Sequence, residues 1–117
     1  MRTINIYLEG TNKPDPDICY GPIRQEKDAT VVIFDISDYI AQYGEGTPEL
    51  YVIRPGETEC YIAESVARDG TRFIWTLSDY DTQNAGVIQF EVYWHFGERR
   101  LKKSEIFQMT IARDING

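Results

Sequence analysis

The sequence predicts an all-β fold, an antiparallel β-sandwich of seven or eight short strands with one or two short helical turns. Three observations predict this class: runs in which every second residue is apolar, turn signals at fairly regular spacing, and no alternation of strands with long helices. Eight tyrosines, five phenylalanines and many β-branched residues also favour strands. A chain of 117 residues suits a single domain, 1–117, with a core of its own.

The N-terminal part, 1–23, is predicted to form one strand followed by a proline-rich loop. Apolar residues alternate over 3–8, as in a strand, and GTNKPDPD over 10–17 is a loop composition. Two carboxylates in this loop could meet a cation. The prolines hold them extended and no further ligand is near, so a solvated loop is expected for Lys13, Asp15 and Asp17.

The sandwich core is predicted to span 24–112. Its first strand lies in DATVVIFDI and is apolar on both faces, which is typical of a strand in the middle of a sheet. The next segment, SDYIAQYG over 37–44, changes to helical spacing of its apolar residues. It is predicted to be a short helix that bridges two sheets, with Ser37 as its N-cap and Gly44 at its end.

Strand patterns return after this helix. ELYVI and ECYIA flank a turn at RPGE, and TRFIWTL over 71–77 follows the turn signal Asp69-Gly70. The segment SDYDTQNAG over 78–86 is predicted to cross between the sheets. Two long strands, VIQFEVYWHF and LKKSEIFQMTIA, then meet at a two-residue turn, Gly97-Glu98. Residues 113–117 are expected to be a linker to a downstream domain.

Charge and composition exclude several functional classes. The net charge of −7 argues against a nucleic-acid binder, which needs Lys and Arg to neutralise phosphates. Membrane insertion is not expected, because no apolar run approaches the roughly 20 residues that span a bilayer. The N-terminus lacks the apolar core of a signal peptide. Cys19 and Cys60 are expected to be reduced thiols, with a disulfide as the alternative; without a CxxC or a nearby histidine they do not match a zinc site.

The crossing segment after TRFIWTL is predicted to be a structural corner made by Leu77, Asp81 and Gly86. The Asp81 carboxylate can accept backbone N–H groups, and Gly86 permits a positive φ or a close approach. A calcium loop is the alternative, since Asp79 and Asp81 alternate here. That pattern fails, because the position that needs a glutamate holds Phe90.

The last two strands display a candidate partner-contact face. Successive side chains of a strand point to opposite faces. This alternation places Phe90, Val92, Trp94, Phe96 and Ile88 on the inner face of their strand, and Gln89, Glu91, Tyr93 and His95 on the outer face. The basic residues after the turn begin the returning strand, opposite acidic and polar neighbours. Ile106 interrupts the alternation of Phe107, Met109 and Ile111, which indicates either an interface or a β-bulge. The face therefore comprises Glu91, Tyr93, His95, Arg99, Arg100 and Ile106.

Catalysis is not expected. His95 is the sole histidine, and no serine lies in a G-x-S-x-G context. With no second histidine and no CxxC, the sequence predicts neither a metal site nor a cofactor.

The order of the motifs resembles one family. Arg24, Gln25 and Asp28 precede the first central strand, and the motifs that follow are LYVIRPGET, W-T-L-S-x-x-D-T-x-x-A-G over 75–86, I-Q-F-E-V-Y-W and K-K-S-x-x-F-x-M-T-I. Over roughly 24–112 they resemble the immunoglobulin-like N-terminal domain of the upper baseplate proteins of long-tailed phages that infect Gram-positive bacteria, and of related prophages. The helical insert at 37–46 and the long N-terminal segment depart from that family.

The resemblance implies a non-catalytic structural module of a phage tail baseplate. Such a module docks on the tail hub and connects through a C-terminal extension to receptor-binding proteins. Its partners would be other tail proteins, its full-length assembly a homo-oligomer, and its location the virion, after synthesis in the host cytoplasm. The alternative function is a carbohydrate-binding module that stacks sugars on exposed tyrosines. The candidates for that role are Tyr39, Tyr43, Tyr51, Tyr61, Tyr80 and Tyr93.

Overall fold

The computed structural model describes residues 2–8, 20–25 and 30–115. Within these ranges the chain forms ten strands and one helix: β1 (Arg2–Tyr7), β2 (Tyr20–Ile23), β3 (Thr30–Asp35), α1 (Ser37–Tyr43), β4 (Gly46–Ile53), β5 (Tyr61–Ile62), β6 (Val66–Asp69), β7 (Arg72–Thr76), β8 (Gly86–Phe96), β9 (Arg100–Lys103) and β10 (Phe107–Ala112). The predicted loop at 10–17, Cys19 and Asp28 lie outside the described residues.

Two sheets pack face to face, which confirms the predicted sandwich. The smaller sheet has the order β1-β3-β7-β6, and the larger one has the order β2-β10-β8-β4-β5. β9 and β10 lie end to end along the same edge of β8. Both sheets are mixed rather than wholly antiparallel, because β1 pairs with β3 and β10 pairs with β2 in parallel. β2, which lies between β1 and β3 in the sequence, belongs to the other sheet. A crossover connection of this kind allows β1 and β3 to run in the same direction and to pair in parallel.

The core lies between the inner faces of the two sheets and is rich in aromatic rings. Phe34 of β3 meets Phe90 of β8 edge-on, with ring centroids 6.0 Å apart, and Trp75 of β7 lies 5.2 Å from Phe90. As predicted, β3 is a central strand, and its side chains are largely buried on both faces. The predicted inner residues Ile88, Phe90, Val92 and Trp94 are buried, and Phe96 is partly buried.

The helix α1 connects the two sheets, as predicted, but its N-terminal cap differs from the expectation. The carboxylate of Asp35 accepts the Ser37 N–H at 2.9 Å, whereas no side chain caps from the N-cap position, Ile36. Ser37 is the first helical residue, so its own hydroxyl donates to Asp35 at 2.5 Å. At the other end Gly44 has a φ of 86° and donates its N–H to the Ile40 carbonyl at 2.9 Å.

Two strands were not predicted from the sequence. β2 has the sequence YGPI, and Gly and Pro both weaken a strand pattern. The strand tolerates Pro22 because it lies at a sheet edge, and it needs Gly21 because a Cβ there would lie 2.7 Å from the Met109 Cγ. β6 carries mostly exposed side chains, so its sequence shows no alternation.

The connection from β8 to β9 differs from the predicted turn. Phe96 pairs with Arg100, so the loop has three residues, Gly97, Glu98 and Arg99, instead of two. Arg99 therefore lies in the loop and not in the returning strand, with a φ of 57°. The third loop residue takes the left-handed conformation that lets a three-residue hairpin close.

A β-bulge interrupts the strand that returns along β8. Ser104 donates its N–H to the Val92 carbonyl, and its hydroxyl accepts the Val92 N–H, both at 2.9 Å. Because Phe107 pairs with Phe90, the two residues Glu105 and Ile106 lie opposite Glu91 alone. The bulge was one of the two alternatives for Ile106, and it leaves 62% of that residue exposed, so a role in an interface stays a prediction.

Candidate functional site

The outer face of the larger sheet carries most of the candidate contact residues. We define it by three cross-strand rows: Ile62, Tyr51 and Glu91; Glu49, Tyr93 and Lys103; and Thr47, His95 and Leu101. Ile106 joins the first row from the bulge. The strands thus bring Glu91, Tyr93, His95 and Ile106 together, whereas Arg99 and Arg100 lie at the loop end of the hairpin.

A pair of stacked tyrosines forms the centre of the outer face. The ring centroids of Tyr51 and Tyr93 are 4.1 Å apart, and Lys103 Nζ lies 4.9 Å from the Tyr93 centroid on the neighbouring strand. Burial raises the pKa of Tyr51, and the charge of Glu49 raises it further. Tyr51 was not assigned to the contact face from the sequence. Its place depends on the pairing of β4 with β8, which alternation along one strand does not reveal.

A groove of about 140 Å³ opens beside this pair. Its lining residues are Tyr51, Ile53, Cys60, Gln89, Phe90, Glu91, Tyr93 and Ile106. Apolar side chains continue around it on the same face, with Ile62 45% and Leu101 42% exposed. Cys60 is an exposed free thiol at the groove wall. The surface is therefore a small apolar depression with one carboxylate, that of Glu91, in its lining.

The single histidine lies against a carboxylate on the neighbouring strand. His95 Nε2 contacts Glu49 Oε1, and the His95 side chain is 44% exposed. The contact is an ion pair when the imidazole is protonated. The described part of the chain contains no group of three or more His, Cys, Asp or Glu residues that could hold a metal ion. It also contains no helix that is long and apolar enough to cross a membrane.

The predicted corner is organised by the buried carboxylate of Asp81. It accepts the Ser78 N–H at 2.8 Å. Two donors from earlier in the chain also reach it: the Trp75 indole N–H at 3.1 Å and the Tyr61 hydroxyl at 2.5 Å. Trp75 belongs to the smaller sheet and Tyr61 to the larger, so this carboxylate ties the two sheets together. Trp75 and Tyr61 were not predicted as donors, because nothing in the sequence marks their approach to Asp81.

The other two predicted corner residues lie on either side of Asp81. Leu77 follows β7 directly and is buried, 8% exposed. Gly86 begins β8 with a φ of 127°, and a Cβ there would lie 2.9 Å from the Pro55 Cβ. The position thus combines a backbone conformation that favours glycine with a close approach to the turn that follows β4.

That turn is itself tied to the corner by Arg54. Its guanidinium pairs with Glu57, donates to the Gln83 side chain at 2.7 Å and lies 3.9 Å from the ring centroid of Tyr80. The Glu57 N–H donates to the Arg54 carbonyl at 3.0 Å, and Gly56 has a φ of 79°, which agrees with the predicted type II turn. The hydrogen bond from Arg54 lowers the pKa of the Glu57 carboxyl.

The candidate sugar-binding tyrosines do not form a flat row. Tyr39 is buried, Tyr43 packs against Phe96 with ring centroids 4.9 Å apart, and Tyr51 and Tyr93 stack on each other. Tyr61 and Tyr80 meet nearly perpendicularly, at 83°. Three coplanar exposed rings would favour a sugar platform, and these six residues do not supply that set, so sugar binding stays the alternative function.

Comparisons with known proteins support the fold. No protein-family model matches the sequence, and no curated protein does either. Among solved structures, the chain is similar to the N-terminal domain of phage TP901-1 ORF48, with a TM-score of 0.55 and 10% sequence identity. The match covers 97% of this chain and 98% of that one. The likeness in fold therefore extends over nearly the whole length of both chains.

Proposed function

We propose that the chain is a non-catalytic structural module of a phage or prophage tail baseplate. The observation that carries the proposal is the match, over nearly the full length of both chains, to the N-terminal domain of a phage protein. The ordered motifs over 24–112, which resemble upper baseplate proteins, point the same way independently. Fold alone does not fix function, so the two lines are needed together.

The work of this module is docking through protein–protein contacts, and its outer face is the contact surface. Ile62, Leu101 and Ile106 expose apolar area there around the stacked pair of Tyr51 and Tyr93. Aromatic residues in the centre of a patch with polar groups around it are typical of interface anchors. The partners are the tail hub on one side and receptor-binding components on the other.

The neighbouring sheet edge favours docking by the face over docking by strand addition. β5 pairs with only two residues of β4, Tyr51 and Val52. The Leu50 carbonyl accepts a hydrogen bond from Ala63, so the backbone groups of Leu50 point towards β5. Those of Pro48, two residues earlier, point to the same side, but proline has no N–H to donate. The Gly46 carbonyl already accepts a hydrogen bond from Arg68 at 3.0 Å. An added strand would find few free groups along this edge.

Immunogold labelling tests the proposal. Antibodies to the purified chain would be applied to intact particles of the phage or prophage that encodes it. We expect label at the distal end of the tail, where a baseplate lies. Label on the capsid, or particles from which the chain is absent by mass spectrometry, would contradict the proposal.

We also infer that the full-length protein forms homo-oligomers in the assembled baseplate. Light scattering coupled to size-exclusion chromatography of the full-length protein tests this inference. A multiple of the monomer mass supports it, and a monomer at every concentration contradicts it.

A further inference from the structure

Glu91 lies at the centre of the outer face without an ionic partner. Its side chain is partly buried between Tyr51 on β4 and Ile106 in the bulge. Two other glutamates of the larger sheet and its turns do have partners: Glu49 contacts His95, and Glu57 contacts Arg54. Within the described residues, Glu91 makes neither an ion pair nor a side-chain hydrogen bond.

The basic residues of the hairpin do not neutralise Glu91. Lys103 is the nearest along the register, but its ammonium lies over the ring of Tyr93 and forms no ion pair with Glu91. Arg99 and Arg100 lie at the loop, beyond Phe96, several residues along β8. None of these hairpin cations therefore pairs with the Glu91 carboxylate, which is still partly exposed.

Docking at this face changes the surroundings of the Glu91 carboxylate. A partner that covers the groove removes the remaining water from Glu91, and an unpaired carboxylate in an apolar contact costs several kcal/mol. The cost is offset when the partner supplies a cation at the same place. Most of the other residues that line the groove are apolar or aromatic, so the cation must also carry a stem that packs against them.

We propose that the groove binds an arginine side chain of the docking partner, with its guanidinium on Glu91. A guanidinium pairs with a carboxylate through two parallel hydrogen bonds and is less strongly hydrated than an ammonium, which suits a site that closes on binding. The groove volume of about 140 Å³ is close to that of a cavity that holds benzene, about 150 Å³, so one such planar group fits. The net charge of −7 attracts a basic partner. This inference rests on the proposed docking role of the outer face.

Two short peptides test the proposal by NMR. The 15N-labelled chain would be titrated with acetyl-Leu-Arg-Leu-amide and with the same peptide carrying citrulline, which keeps the shape of arginine but has no charge. We expect shifts confined to the amides around Tyr51, Glu91, Tyr93 and Ile106. The arginine peptide should bind about tenfold more tightly than the citrulline peptide.

Two variants assign the charge effect to one carboxylate. Glu91→Gln should remove the difference between the peptides, because it keeps the size of the side chain and removes its charge. Glu64→Gln removes an exposed carboxylate beyond β5 and should leave the difference unchanged. Persistence of the tenfold preference in the Glu91→Gln variant would overturn the proposal.

The remaining outcomes separate this proposal from the docking role. Equal binding of both peptides in the groove would exclude an arginine site and leave the outer face as a docking surface. Shifts elsewhere on the chain, or none up to about 10 mM peptide, would also overturn the arginine site. The tail location is tested separately by immunogold labelling.

Discussion

Tyr51 on β4 and Tyr93 on β8 stack across two neighbouring strands, with ring centroids 4.1 Å apart and ring planes 33° apart. The register pairs Tyr51 with Glu91 and Tyr93 with Glu49, so the two rings are diagonal neighbours on the outer face. Their contact fixes both rings at the groove wall before any partner binds. A preformed wall lowers the entropy cost of docking.

A double-mutant cycle should detect this contact. The single changes Tyr51→Ala and Tyr93→Ala and the double change should give a coupling energy of about 0.5–1.5 kcal/mol, as expected for an aromatic pair. Urea unfolding measures the three differences. Tyr7→Ala with Tyr93→Ala is the control, because Tyr7 lies on β1 of the other sheet, and those two effects should add within about 0.5 kcal/mol. A coupling of zero for Tyr51 and Tyr93 would show that the stacking contributes nothing.

Replacing Asp81 should strongly destabilise the fold. Asp81→Asn keeps the shape of the side chain but removes the charge that strengthens the hydrogen bonds donated by Trp75, Ser78 and Tyr61. The change should lower the free energy of unfolding by about 2–3 kcal/mol. Asp79→Asn is the matched control. Asp79 is exposed two residues away, so its effect should stay within about 0.5 kcal/mol. Similar urea midpoints for the two variants would contradict the stabilising role of the Asp81 carboxylate.

Stability at high pH should depend on Tyr61. Burial, and after it the hydrogen bond to Asp81, raises the pKa of Tyr61 above its ordinary value of 10.0. Its contribution is fully present below pH 10.0 and is lost as the pH rises further, because the unfolded chain releases this proton while the folded chain keeps it. The urea midpoint of the wild type should therefore fall more steeply between pH 10.0 and about 11.5 than that of Tyr61→Phe. Parallel curves would contradict this assignment.

Arg99→Gly should stabilise the protein. Arg99 has a φ of 57°, a conformation that costs a residue with a Cβ about 1 kcal/mol relative to glycine. Part of that gain is offset by the greater freedom of glycine in the unfolded chain, which leaves about 0.5 kcal/mol. Arg100→Gly is the control, since Arg100 begins β9 and the same change there should destabilise. Thermal unfolding of the two variants checks the opposite signs.

For the long strand β8, the sequence correctly predicted which side chains face the core and which face outward. The alternation of Ile88, Phe90, Val92 and Trp94 identified the inner face of β8, because a strand beside a core must alternate. The short helix between β3 and β4 and the crossing from β7 to β8 were also predicted, since each interrupts the period of two with its own spacing or turn residues.

The relations between strands were not predictable in the same way. The parallel pairing of β1 with β3 depends on β2, whose Gly and Pro conceal a strand. The partners of Asp81 lie on other strands, and the place of Tyr51 on the outer face depends on register. Register is fixed by pairing over long distances in the sequence, which a period along one strand does not encode.

The most direct test of the docking account is the reactivity of Cys60 in assembled tails. Cys60 is an exposed thiol at the wall of the groove, so it should react readily with N-ethylmaleimide in the isolated chain. In intact tails the partner covers the groove, and alkylation of Cys60, quantified by peptide mass spectrometry, should slow at least about tenfold. A cysteine introduced by Asp69→Cys, at the hairpin of the smaller sheet, serves as the control. Equal rates for Cys60 in free chain and assembled tails would contradict docking through the outer face.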